Sequence, residues 1–129
     1  MEIKPTKPRP KNLDLTSIQL PLPGIVSILH RLSGALLFLV GIPLLLSLLQ
    51  QSLQSRTAFE ALLQALDQPL AKLILVGLIW AFWHHFCAGV RFLLLDMHHG
   101  VRIESARSSS RWVLIVSLLL TALSGVALW

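Results

Sequence analysis

Three long stretches without a charged side chain dominate the hydrophobic pattern, at residues 32–55, 73–90 and 112–129. The two shorter stretches have about 18 residues each, close to the minimum for a helix that crosses a hydrocarbon core about 30 Å thick. Only helices and closed barrels satisfy the backbone in lipid, and no stretch alternates with a period of two. The pattern predicts an all-α integral membrane protein whose single membrane domain, 25–129, holds three transmembrane helices at about 25–50, 70–96 and 112–129.

Prolines set the expected limits of the first helix. The basic segment 1–24 has prolines at positions 5, 8, 10, 21 and 23, which predicts an extended N-terminal segment. The last two of them leave Gly24 or Ile25 as the expected first helical residue. Pro43 predicts a bend within the first span. Between the first two spans, residues 58–63 are expected to form a short interfacial helix.

The charges are distributed unevenly along the chain, which carries a net charge of +5. Of its 11 lysines and arginines, only Arg56 and Lys72 lie between the first two uncharged stretches. This is the positive-inside pattern, and it predicts a cytoplasmic N-terminus and a periplasmic C-terminus in a bacterial inner membrane. No cleavable signal peptide is expected. The charges are topology determinants rather than a nucleic-acid surface, and three helices enclose so little core that a partner subunit is expected.

Small residues follow one face of the second predicted span. Gly77, Ala81, His85 and Gly89 are four residues apart and form a nearly continuous stripe. A flat molecule such as haem, with His85 as axial ligand, needs a shallow trough of this kind. Close helix–helix packing would use the same stripe, and the spacing leaves both interpretations open. His84 lies about 100° round the helix, so it is either a bystander or reaches a neighbouring subunit or a haem propionate.

A second cluster of polar side chains lies near the start of the first span. Ser27, Arg31 and Gly34 share one helix face, and His30 lies on its flank. An arginine and a serine at that depth suit a ligand with carbonyl oxygens, such as a quinone head group. The alternative is that Arg31 snorkels to lipid headgroups while Ser27 caps the helix.

Other polar residues have simpler interpretations. Arg91 is expected either to pair with Asp96 or to neutralise a haem propionate. His98 and His99 are read as solvated. The hydroxyl-bearing and small residues of the third span predict a packing surface; they are Ser117, Thr121, Ser124 and Gly125.

Three blocks of residues closely resemble the cytochrome b556 subunit family of bacterial succinate dehydrogenase. They are Arg9-Pro10-x-Asn12-Leu13-Asp14-Leu15, Ser27-x-x-His30-Arg31-x-Ser33-Gly34 and His85-x-x-x-Gly89-x-Arg91. The resemblance covers residues 9 to 129. It implies a subunit of respiratory complex II, in the electron transport chain and the tricarboxylic acid cycle. It also implies that the subunit and a second small membrane anchor hold an iron–sulfur subunit and a flavoprotein to the cytoplasmic face in a shared helical bundle.

The resemblance also implies roles for individual residues. His85 matches the axial ligand of haem b, whose second ligand would come from the other anchor subunit. Ser27 and Arg31 match ubiquinone-site positions, and His30 and Arg31 match positions near the haem propionates. Two departures from the family pattern are His84, directly before the expected ligand, and Phe92, where some relatives have histidine.

Three other functions are compatible with the pattern. A haem-free structural anchor would use the same polar residues only for packing. A fumarate reductase anchor would run the same chemistry in reverse. A small transporter is disfavoured because the third span carries no ionisable side chain and no two helices are interrupted at matching positions. The isolated chain is not expected to oxidise succinate, since it carries no flavin or iron–sulfur motif.

Overall fold

A computed structural model describes residues 18–129, which form an all-α protein. The helices are α1 (Leu22–Leu36), a π-helical segment (Leu37–Gly41), α2 (Ile42–Gln54), α3 (Arg56–Leu66), α4 (Pro69–Asp96) and α5 (Ile103–Leu128). Three continuous helices are long and apolar enough to cross a membrane: Leu22–Gln54, Pro69–Asp96 and Ile103–Leu128. The predicted fold class is therefore confirmed.

The first helix begins earlier than the prolines suggested. It starts at Leu22, with Pro21 as N-cap and Pro23 inside the first turn. The expected start at Gly24 or Ile25 is wrong. The first N–H groups of a helix have no carbonyl partner within the helix, so proline, which lacks an N–H, is accepted in the first turn. The predicted extended segment 1–24 lies mostly outside the described residues.

The first span changes its hydrogen bonding where the bend was expected. The π-helical segment Leu37–Gly41 directly precedes Pro43, which lies in the first turn of α2. Proline offers no N–H and its ring crowds the carbonyl four residues earlier. The π turn widens the helix at that point, so the chain continues as one 33-residue span.

The short helix between the first two spans is present as α3, longer than the predicted 58–63. Ser55 is its N-cap, and its Oγ accepts a hydrogen bond from the Ala58 amide at 3.1 Å. Arg56 donates to Glu60 at 2.8 Å on the exposed face. A capped start and an i,i+4 ion pair are ordinary reasons for a short helix to form.

The third span begins at Ile103, well before the predicted 112. The segment 102–111 contains several charged side chains, which interrupt the hydrophobic pattern but do not prevent the helix. Ser110 donates to the Ala106 carbonyl at 2.7 Å inside this first part of α5. The connection from α4 is correspondingly short and turns at His98 (φ 62°) and Gly100 (φ 75°). His98 and His99 are exposed there, as predicted.

The three spans pack with α4 between α1 and α5. Val26, Ala88 and Val113, one from each helix, form the buried hydrophobic cluster. The predicted packing surface of α5 is confirmed at Ser117, which is fully buried, and at Thr121, which is nearly so, but a Cβ on Gly125 would meet nothing within 4 Å among the described residues. The hydroxyls of Ser117 and Thr121 donate to carbonyls of their own helix, so neither of these two buried donors is left unpaired.

The second half of the first span leaves this bundle. No Cα atom of α2 lies within 8 Å of a described residue of α4 or α5. The gap is an apolar cavity of about 680 Å³ with Leu37, Leu48, Phe82 and Leu128 among its lining residues. Large apolar side chains are exposed along all three spans, as expected where lipid or partner helices cover them.

Candidate functional site

Two imidazoles from different helices meet at the contact of α1 with α4. The rings of His30 and His85 stack with centroids 4.2 Å apart and an angle of 6° between their planes. Nδ1 of His85 lies 3.0 Å from the backbone carbonyl oxygen of His30. A carbonyl can only accept, so Nδ1 carries the proton and donates it. The neutral ring then has its lone pair on Nε2.

This hydrogen bond fixes the tautomer of His85 in a form that metal-binding histidines commonly have. Metal-binding histidines usually donate their second N–H to a carbonyl or carboxylate, which fixes both the tautomer and the ring orientation. His85 is half-buried, at the edge of the bundle rather than in its centre. Among residues 18–129, no three His, Cys, Asp or Glu side chains converge on one point. A single tautomer-fixed imidazole would suit an iron whose remaining ligands come mainly from a macrocycle.

Two glycines make room for the stacked rings. A Cβ on Gly34 would lie 2.7 Å from Cε1 of His85, closer than such atoms approach in proteins. A Cβ on Gly89 would lie 3.6 Å from Nε2 of His30. The small-residue stripe therefore contributes to this contact through Gly89. Gly77, at the other end of the stripe, would meet nothing within 4 Å among the described residues.

His84 has the opposite environment. Its side chain is completely buried, and neither ring nitrogen has a hydrogen-bond partner among the described residues. The ring stacks on Trp80 with centroids 5.2 Å apart. Because the ring is enclosed by the helices, a ligand would have to open the bundle to reach it. A role for His84 near a propionate stays a prediction, and this burial counts against it.

Arg91 belongs to the interface of α4 with α5. Its side chain is 6% exposed, and Nε donates to Ser109 Oγ at 3.0 Å. Nη2 donates to the Ala106 carbonyl at 3.4 Å. Asp96 is exposed, and no ion pair joins it to Arg91. The guanidinium thus joins the two helix ends, and the expected Arg91–Asp96 pair is not formed in the described residues.

Ser27 and Arg31 lie one turn apart at the start of α1. Ser27 is half-buried and Arg31 is exposed. Within residues 18–129, neither side chain forms a hydrogen bond or an ion pair. Both groups are therefore available to a ligand or to a partner chain on that face. Arg31 directly follows His30 in α1, so it lies next to one of the two stacked imidazoles.

Three residues of the site received no specific role from the sequence. Ser33 is 3% exposed and donates to the His30 carbonyl at 3.0 Å. Gly34 supports the imidazole of His85, and Ser109 receives Arg91. The pair Ser33-Gly34, directly after His30, was the available signal. Phe92, at the position of the noted departure, packs its ring 5.1 Å from that of His30.

These features define a class of protein: a multi-pass helical membrane protein with an imidazole of fixed tautomer and orientation at the edge of its bundle. Residues 5–124 match the family model for the succinate dehydrogenase/fumarate reductase transmembrane subunit. The match covers most of the chain, so the chain belongs to this family. The sequence resemblance to this kind of membrane subunit is confirmed.

Curated relatives are similar over nearly their whole length. A succinate dehydrogenase cytochrome b556 subunit of Coxiella burnetii is 37% identical over 122 residues, covering 94% of this chain and 97% of the relative. The protein of that name from Paracoccus denitrificans is 35% identical, covering 90% and 88%. The one from Rickettsia felis is 30% identical, covering 89% of each.

Proposed function

We propose that the chain is the membrane-anchoring, haem b-binding subunit of a bacterial succinate dehydrogenase, respiratory complex II. The observation that carries the proposal is the hydrogen bond from His85 Nδ1 to the His30 carbonyl, at the contact of two packed spans. Relatives that are similar from end to end are named cytochrome b556 subunits of succinate dehydrogenase, a name that fits a haem-binding histidine.

The residues at the α1–α4 contact fit haem b. His85 would hold the haem iron through Nε2, with its ring held by the His30 carbonyl and by the space over Gly34. When bound, the haem supplies a one-electron carrier inside the bilayer. The basic side chains of His30, Arg31 and Arg91 are the candidates for its propionates. Arg91 would do so only by giving up its bonds to α5, so His30 and Arg31 are the stronger candidates.

Ser27 and Arg31 form the quinone part of the proposal. Ser27 would donate a hydrogen bond to a ubiquinone carbonyl, and Arg31 would stabilise the negative charge that develops as the quinone is reduced. Their position one turn apart, with no intramolecular partner among residues 18–129, supports this role. Electrons from succinate would reach the site through the flavoprotein and iron–sulfur subunits.

The partners follow from the same proposal. A second small membrane anchor would give the other haem ligand and cover part of the exposed apolar surface. The iron–sulfur subunit would dock at the end that carries the start of α1 and the connection between α4 and α5. Along the sequence, nine of the 11 basic residues lie before α2 or after position 90, which supports a cytoplasmic location for that end. The C-terminus would then lie in the periplasm.

The test begins with the complex isolated from membranes through a tag on this chain. Succinate-dependent reduction of a ubiquinone analogue and a b-type haem spectrum in the same particle are expected. If the particle lacked haem, the chain would have only the role of a structural anchor. A particle without a succinate-oxidising partner would contradict the proposal altogether. If the complex reduced fumarate with menaquinol faster than it oxidised succinate, the chain would belong to a fumarate reductase, the other branch of its family.

Substitutions test the quinone site separately. Ser27→Ala and Arg31→Leu are expected to lower quinone reductase turnover and raise the KM for the quinone, with succinate oxidation by a soluble dye unchanged. Ser47→Ala in α2 and Arg56→Leu at the start of α3 are matched controls, since both residues are exposed and lie far along the chain from Ser27 and Arg31. If the two site variants behaved like these controls, the quinone assignment would be wrong.

A further inference from the structure

Ser33 lies beside the hydrogen bond that holds His85. Its side chain is 3% exposed, and its Oγ donates to the His30 carbonyl oxygen at 3.0 Å. The same Oγ lies 3.4 Å from Nδ1 of His85. Three groups therefore meet at one point: a hydroxyl, an imidazole N–H and the single carbonyl that accepts from both.

We infer that Ser33 is a positioning residue that sets the strength of the His85 Nδ1–H bond and, through it, the potential of the haem. The inference rests on the proposed axial role of His85. A carbonyl that already accepts one hydrogen bond has less electron density for a second donor. The Ser33 hydroxyl therefore weakens the bond from Nδ1 and limits how far the imidazole acquires imidazolate character.

The direction of the effect follows from the two distances. Removing the hydroxyl takes away a 3.0 Å bond to the carbonyl and a 3.4 Å contact with Nδ1. The second lies at the limit of hydrogen-bond distance and is the weaker of the two. The Nδ1–H bond to His30 then strengthens, and His85 becomes a more basic ligand. A more basic ligand favours the ferric state, so the potential falls.

The chain offers a matched control for the loss of a buried serine hydroxyl. Ser117 in α5 is completely buried, and its Oγ donates to the Leu114 carbonyl at 3.0 Å, also three residues back. Its bond is of the same kind as that of Ser33, but no hydrogen bond joins Ser117 to His85 among residues 18–129. A merely structural effect of Ser→Ala would therefore appear in both variants.

The experiment is a redox titration of the b-type absorbance in the assembled complex. Ser33→Ala is expected to keep the haem and lower its midpoint potential, where each tenfold change in the ferric-to-ferrous preference equals about 59 mV for one electron. Ser33→Cys keeps a weaker donor and is expected to fall between wild type and Ser33→Ala. Ser117→Ala should keep the wild-type value.

The outcomes separate this inference from the proposed function. If His85→Leu leaves the b-type band intact, the axial assignment fails and the role of Ser33 fails with it. If His85→Leu removes the band but Ser33→Ala and Ser33→Cys titrate like Ser117→Ala, only the role of Ser33 is wrong. A rise in potential would also contradict it, because Ser33 would then act mainly as an acceptor. If Ser33→Ala does not assemble, the shift in Ser33→Cys decides.

Discussion

The two halves of the bundle are built for different purposes. In the half that contains α1, the three spans pack together. Hydrogen bonds hold several polar residues at the helix contacts there, namely His30, Ser33, His85 and Arg91. In the half that contains α2, the first span leaves the other two and borders an apolar cavity of about 680 Å³. We call them the α1 half and the α2 half.

The difference shows where precise packing is needed. Polar groups inside a membrane must be paired, and a ligand-binding imidazole must also keep one orientation. His85 meets both demands in the α1 half through the close helix contacts at Gly34 and Gly89. The α2 half has mainly apolar side chains to bury, which lipid or a partner helix does equally well. Substitutions of the same chemistry should therefore have unequal effects in the two halves.

The largest expected effect comes from Gly34→Ala. The added Cβ would lie 2.7 Å from His85 Cε1, so the imidazole must leave its position. We expect haem content to fall at least tenfold, measured as haem per flavin in the isolated complex. Gly125→Ala is the control, because its Cβ would meet nothing within 4 Å among the described residues. Equal haem in the two variants would show that the contact at Gly34 does not position His85.

Arg91→Leu tests the polar contact between α4 and α5. It removes two charge-assisted hydrogen bonds from a buried group, which we expect to destabilise the complex by about 1.5–3 kcal/mol. Thermal denaturation in detergent measures the loss. Arg102→Leu is the control, since the Arg102 side chain is 85% exposed. Similar melting of the two variants would contradict the joining role of Arg91.

Enlarging one alanine in each half compares their packing directly. Ala88 is completely buried in the α1 half, and Ala88→Leu should cost about 1–3 kcal/mol through overpacking. Ala127 lines the cavity of the α2 half, and Ala127→Leu should change stability by less than about 0.5 kcal/mol. The measurement is again thermal denaturation of the complex. Equal losses would mean that the cavity is closed by tight packing in the assembly.

The smallest effect is expected at the polar contact of the α2 half. Trp83 Nε1 donates to Ser124 Oγ at 2.9 Å, which joins α4 to α5 there. Trp83→Phe keeps most of the ring and should cost about 0.5–1.5 kcal/mol. Trp112→Phe is the control, because Trp112 is largely exposed. A loss larger than that of Arg91→Leu would reverse the ranking of the two halves.

Much of the fold was predictable from the sequence because lipid restricts the backbone so strongly. The three spans and the packing face of α5 followed from hydrophobicity and from the position of small residues. The start of α1 and the start of α5 did not, because each depends on which backbone donors and carbonyls find partners locally. Pro23 is accepted in a first turn, and Ser110 bonds to the Ala106 carbonyl in a charged stretch.

The candidate site was predictable only in part. The stripe favoured His85 over His84, and the motif drew attention to the segment from Ser27 to Gly34. The sequence could not show that the partner of His85 is the backbone carbonyl of His30, because that contact depends on how α1 and α4 pack side by side. For the same reason the sequence left the small residues open between a flat ligand and close helix packing, while Gly89 faces the ring of His30.

The central claim is that His85, and not its buried neighbour His84, is the haem ligand. The most direct measurement is a dithionite-reduced minus oxidised visible spectrum of the assembled complex, with wild type beside His85→Leu and His84→Leu. We predict a b-type α-band in wild type that is lost or shifted in His85→Leu and kept in His84→Leu. A band that survives His85→Leu and disappears in His84→Leu would contradict the account, as would a wild-type complex without haem.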